Sequence, residues 1–232
     1  MAVAPFDRIT ATYTPAHALM YETIVAPAVY RSRQVIDEFF LRLLPDGAKI
    51  LDVGAGGGLF TNYMADRRPD VTIIGIDLAD AQLRRAAKRM KAYGDRVSFR
   101  RGDATAIDFA DDTFDGVISY GSIKHWTSQE KGMAECVRVL KPGGPLLVTD
   151  ADRSATFSDS SNFIKHYRFP RIFDGVQLAI FRTWIAGRSI DIDDARALAA
   201  GADLSDRVVK RIPDSPLIMI AGRRASGEGA LS

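Results

Sequence analysis

The chain of 232 residues holds one cysteine, Cys136, so no intrachain disulfide can form and a reducing, cytoplasmic compartment is expected. It has little surplus charge. The 31 Lys and Arg against 29 Asp and Glu leave a formal net charge of +2. Nucleic-acid binding needs clustered Lys and Arg, so no nucleic-acid partner is expected. No apolar window reaches the roughly 20 residues that span a bilayer, so no transmembrane segment is expected. Residues 1–10 lack a basic stretch followed by an apolar run and do not read as a secretory signal. There is no internal repeat. The one low-complexity stretch, residues 223–232, is rich in Gly, Ala and Ser and reads as a disordered tail. What remains is an ordinary globular balance, 47% hydrophobic and 26% charged, in a chain long enough for one substantial core.

From residue 49 onward, short β-branched runs alternate with helix-like segments. Strands are expected over 49–53, 71–77, 97–100, 114–119 and 146–150, and helices over 61–68, 80–93 and 129–140. This alternation predicts an α/β fold with a doubly wound, mostly parallel seven-stranded sheet. The runs 207–212 and 217–222 are joined by Pro213-Asp214-Ser215-Pro216, too short for a helical crossover, so they should be antiparallel and close the sheet. A helix over 191–200 precedes them, with Gly201 as its cap. One domain over 1–222 is expected: a helical lid (1–48), a core (49–150), a helical substrate cap (151–190) and the final helix with its strand pair (191–222). Lid and cap are both expected over the carboxyl edge of the sheet.

The strongest chemical signal is Asp52-Val53-Gly54-Ala55-Gly56-Gly57-Gly58. A strand ends, glycines turn the backbone sharply and permit close approach of a ligand, and a helix N-terminus offers free N–H groups. The dinucleotide fingerprint G-x-G-x-x-G/A fails, because its last position is Leu59. Asp77 ends the next strand, roughly 20 residues on, where an acid would accept ribose hydroxyls.

The motif D-x-G-x-G-x-G resembles motif I of class I S-adenosylmethionine-dependent methyltransferases. Gly102-Asp103-Ala104 resembles that family's G-D-A element, residues 115–126 its motif IV and following loop, and residues 138–144 its R-x-L-K-P-G-G turn. Phe6-Asp7-Arg8-Ile9 with Tyr13 resembles the opening of ubiquinone/menaquinone-type members. The resemblance implies S-adenosyl-L-methionine as cofactor, held at Asp52, Gly54, Ala55 and Gly56. It implies that Asp77 binds the ribose, that Leu78 lies along the adenine, and that Asp103, between Gly102 and Ala104, receives the adenine amino group. Ser119 and Tyr120 would pass beside the methionine part, and Tyr13 would close over the cofactor. No metal is expected, since two carboxylates, Asp150 and Asp152, make a poor metal signature; pairing with a cationic substrate is their other reading.

The implied reaction is in-line methyl transfer to an O-, N- or C-nucleophile of a small molecule. His125, just past the fourth strand, is the candidate general base, because its reference pKa of about 6.5 suits proton transfer near neutrality. His17, Lys124, Trp126, His166 and Arg168 are candidate substrate contacts. The segment 151–190 is rich in aromatics and in Arg, which suits an apolar or aromatic acceptor with an anionic group. Two alternatives stand beside this reading: an RNA or protein acceptor, and an inactive cofactor-binding partner protein.

Overall fold

A computed structural model describes residues 21–167 and 170–226. Seven strands form one sheet in the order β3-β2-β1-β4-β5-β7-β6. They are β1 (Lys49–Val53), β2 (Thr72–Asp77), β3 (Val97–Arg101), β4 (Gly116–Tyr120), β5 (Pro145–Ala151), β6 (Leu204–Arg211) and β7 (Leu217–Arg224). The first five pair in parallel, and β7 runs antiparallel to both β5 and β6. The central strands are apolar nearly throughout because both faces are covered. Along β1, Ile50 joins the core on one face and Leu51 the core on the other.

Several boundaries differ from expectation: β6 starts at Leu204, three residues early, and Gly201 is the last residue of its helix, with Ala202 as the C-cap. β4 starts at Gly116, since Phe114 and Asp115 serve the turn around Lys141 and Phe114 makes only an isolated bridge to Leu140. The helix that begins at Asp80 ends at Arg89 and passes into a 3-10 stretch, Lys91–Arg96, containing Gly94 at φ +58°. β7 extends to Arg224, two residues into the expected tail; residues 227–232 lie outside the described residues.

Residues 1–20 of the expected lid lie outside the described residues. Among its described residues, short helices at Ala26–Val29 and Gln34–Phe39 run down one face of the sheet. Ser32 meets Tyr120 at the carboxyl end of β4. Phe40 and Leu44 press against Gly116 at its other end, where a side chain on Gly116 would collide with both. One face of residues 26–44 therefore packs into the core, with Ile36 and Phe40 fully buried. The cap supplies helices Phe157–Ile164 and Asp174–Ile180 between β5 and β6, and the helix Ile192–Gly201 then leads into β6 behind an Asp191 capping box.

Candidate active site

The glycine turn is built on β1 and β2 together. Gly54 and Ala55 N–H both donate to the Ile76 carbonyl, at 2.8 and 3.0 Å. Gly54, Gly56 and Gly58 sit at φ +72°, +54° and +76°, a region that favours glycine. Gly58 then caps the helix Leu59–Arg67. A Cβ on Gly54 would run into the Ser122 side chain, whereas a Cβ on Gly56 would meet only Gln82 Nε2, at 4.0 Å. The space over Gly56 is open.

Asp77 faces that space. Its Oδ2 accepts the Gly56 N–H at 2.9 Å and its Oδ1 the Ala79 N–H at 2.8 Å. Burial raises its pKa, opposed by those two N–H groups. Leu78, beside it, is 48% exposed, an apolar surface with nothing on it. Gly102 N–H donates to the Asp77 carbonyl, which brings the β3 loop alongside. There Asp103 Oδ1 accepts from the Thr105 N–H and hydroxyl, at 2.8 and 2.9 Å, while Ala104 is buried behind it. Asp52 is placed differently. It is buried beneath the turn and accepts the Thr61 hydroxyl at 2.6 Å. Burial pushes its pKa up to about 7, the Thr61 bond opposing and the Asp77 charge adding. It braces the turn against its helix.

The loop after β4 forms the opposite wall. Ser119 Oγ lies 2.7 Å from Ser122 Oγ, which donates to the Val53 carbonyl and accepts Trp126 Nε1 at 3.0 Å. Tyr120 stacks on Phe60 with ring centroids 3.9 Å apart, and its hydroxyl bonds Ser32. Burial raises its pKa, so it stays protonated. Lys124 Nζ pairs with the buried Asp150 carboxylate at 2.8 Å, and Lys124 N–H bonds the same group. Trp126 packs over Gly132, which has no room for a Cβ. Lys124 and Trp126 thus shape the loop. His125 between them is exposed. The atoms crowding its ring, with the charge of Lys124, lower its pKa to about 4; Asp150 opposes and Arg188 adds to the shift. Neutral near pH 7, the ring can accept a proton.

Residues 50–144 match the model of a methyltransferase domain. Methyltransferase GfsG of Streptomyces halstedii is 33% identical over 138 residues, 58% of this chain and 49% of that protein. The ubiquinone/menaquinone biosynthesis C-methyltransferase UbiE of Paracoccus denitrificans is 39% identical over 108 residues, 45% of this chain and 43% of that one. Over this stretch the chain is similar to methyltransferases of small molecules and carries a methyltransferase domain. A SAM-dependent methyltransferase from Aquifex aeolicus shares the fold, with a TM-score of 0.69 at 15% identity, over 92% of this chain and all of that one. The chain spans about half the length of the curated relatives it matches.

S-adenosyl-L-methionine, the cofactor of this methyltransferase family, fits the residues present. Asp77 suits a pair of ribose hydroxyls, the exposed Leu78 a flat base, Asp103 an amino donor, and the open space over Gly56 the close approach of the ligand. Asp150 and Asp152 each pair with a cation of the chain itself, Lys124 at 2.8 Å and Arg211 at 2.5 Å. His166 is exposed on the cap and bonds the Asn162 carbonyl through Nδ1. Tyr13, His17 and Arg168 lie outside the described residues. Ser122, which joins Val53, Ser119 and Trp126 over Gly54, was not legible in the local pattern, because its partners come from distant parts of the chain.

Proposed function

We propose that this methyltransferase moves the cofactor's methyl group to a small-molecule acceptor by in-line displacement, between the loop after β4 and the cap of residues 151–190. The observation that supports this reading is the His125 ring, exposed and neutral, in the turn that follows β4. The bound cofactor supplies a methyl already activated on a sulfonium. The protein's part is to position the acceptor, exclude water and, for an alcohol or carbon acid, take a proton at a His125 ring nitrogen.

The cap supports an apolar or aromatic acceptor carrying an anionic group. Phe163, Tyr167 and Phe181 pack together there, with Tyr167 and Phe163 centroids 5.7 Å apart. The Tyr167 hydroxyl and the Gln177 carboxamide are buried without hydrogen-bond partners, polar groups that an acceptor can satisfy. The charge of Arg188 acts on His125, which supports an anionic group on the acceptor. In this reading residues 1–222 form one domain, with 49–150 holding the cofactor, in a reducing cytoplasm that suits the single buried thiol of Cys136. An RNA or protein acceptor is less well supported, because the Arg84, Arg85, Lys88, Arg89 and Lys91 cluster lies on the helix after β2, not on the acceptor wall.

A screen of phenols, amines, quinols and aromatic carboxylates with labelled S-adenosylmethionine tests the proposal. Labelled small product, favoured by an anionic group, supports it. Label on RNA or protein alone rejects it, and so does failure to turn over any acceptor class while the cofactor binds.

A further inference from the structure

Six large apolar side chains stand exposed among the described residues, and four of them lie in the cap. There the chain passes through a 3-10 turn, Arg171–Phe173, into the helix Asp174–Ile180. The inward side of that helix carries Leu178 and, close to one turn on, Phe181, both buried. Its outward side is apolar as well. Ile172 and Val176, one turn apart, are 86% and 59% exposed, Phe173 beside them is exposed, and Ala179 continues the stripe. A single exposed isoleucine is ordinary, but apolar residues at helical spacing on the solvent side form an uncovered surface. Cations frame it. Arg171 directly precedes Ile172, is exposed, and makes no hydrogen bond or ion pair to any described residue. Lys165, at the end of the helix Phe157–Ile164, is exposed too. At the other end Arg182 donates to the Ala155 carbonyl at 3.2 Å, two residues from Phe157, itself 66% exposed. The acids of the same stretch are otherwise placed: Asp159 accepts the Thr156 hydroxyl, and Asp174 is half-buried in the first turn of its helix.

We propose that this outer face of the cap docks on an anionic lipid surface, with Ile172 and Val176 entering the headgroup boundary and Arg171, Lys165 and Arg182 meeting lipid phosphates. Such a surface offers an apolar layer beneath a layer of negative charge, the two properties that the stripe and its frame match. A second copy of the chain matches less well. A two-fold contact would set the cationic frame against itself, with no exposed acid in the described part of the stripe to balance it. A few apolar side chains and a few charges give reversible, salt-sensitive binding. The proposal concerns the outer face of the cap and holds whatever acceptor the inner face takes.

Sedimentation of the full chain with sucrose-loaded vesicles tests the proposal, one set of phosphatidylcholine alone and one an equal mixture of phosphatidylcholine and phosphatidylglycerol. The wild type should sediment with the mixed vesicles, more weakly with phosphatidylcholine, and high salt should release it. Ile172→Ser should weaken binding to both sets roughly 10-fold, the lower end of what burying an isoleucine contributes. Arg171→Gln should weaken binding to the mixed vesicles alone, roughly 5-fold for one charge at an anionic surface. Both side chains are exposed, so both variants should melt at the wild-type temperature; Val176→Ser repeats the first measurement if Ile172→Ser melts lower. A wild type that stays in solution with the mixed vesicles overturns the proposal. So does wild-type binding by both serine variants, which would place the lipid contact elsewhere. A wild type that is a dimer in buffer, with Ile172→Ser a monomer, gives the face to a second copy and overturns it as well.

Discussion

The Asp77 carboxylate accepts the Gly56 N–H at 2.9 Å. This bond ties the end of β2 to the glycine turn after β1, so the acid and the turn form one rigid unit. Asp77 Oδ1 is held as well, by Ala79 N–H at the start of the next helix. A carboxylate fixed by two backbone donors is pre-set in orientation, and each oxygen keeps a lone pair for a ligand hydroxyl. The order that ligand binding would otherwise have to impose is already present in the fold.

The glycines of the turn should separate by function. Gly54→Ala should destabilise the free protein, because the new methyl runs into Ser122. Gly56→Ala meets no protein atom closer than 4.0 Å and bears only the penalty of its φ of +54°, about 1–2 kcal/mol. It should keep most of its Tm and lose S-adenosylhomocysteine binding. Thermal melts with calorimetry check both; full binding by Gly56→Ala would show that the ligand does not approach this turn.

Asp52 makes the stability of the free protein depend on pH. Its folded pKa is raised to about 7 by burial, above its unfolded value near 4. The folded state then holds the proton more tightly, so the stabilising contribution is present below about pH 4 and is lost as pH rises to about 7. Asp52→Asn removes that titration. The Tm gap between the variant and wild type should widen in the variant's favour from pH 4 to 7 and level off above. A gap independent of pH would place the Asp52 carboxyl in water.

Much of this was legible in the sequence, for a physical reason. Strands buried on both faces, such as β1 and β5, need continuous apolar runs, and Gly54 and Gly56 must be glycine to reach their φ. Asp77 follows from its place at a strand end. What was not legible depends on distant partners. The burial of Asp52 against Thr61 cannot be seen in a motif that only names the acid. The packing of Phe40 and Leu44 on Gly116 gives one face of residues 26–44 to the core, although their helical character suggested a lid. The lowered pKa of His125 comes first from burial of the ring and then from Lys124 and Arg188, against the opposing charge of Asp150, surroundings that the fold assembles from separate segments.

His125→Asn tests the base. If the ring serves the acceptor and not the cofactor, the variant should bind S-adenosylhomocysteine as wild type does, and turnover of a phenol or alcohol should fall about 10²- to 10⁴-fold. Because the imidazole pKa is lowered to about 4, wild-type turnover should be nearly flat from pH 6 to 8 and fall only as pH drops toward that value. The variant should lack that acid limb. An unchanged limb in the variant, or unchanged turnover, would make His125 a bystander.

The most direct test of the central claim is calorimetric titration of wild-type and Asp77→Ala proteins with S-adenosylhomocysteine. A hydrogen bond to a charged partner contributes about 1.5–3 kcal/mol. The variant should therefore melt near the wild-type temperature and bind roughly 10- to 150-fold more weakly. Equal dissociation constants in two folded proteins would contradict the account, because they would place the cofactor somewhere other than the end of β2.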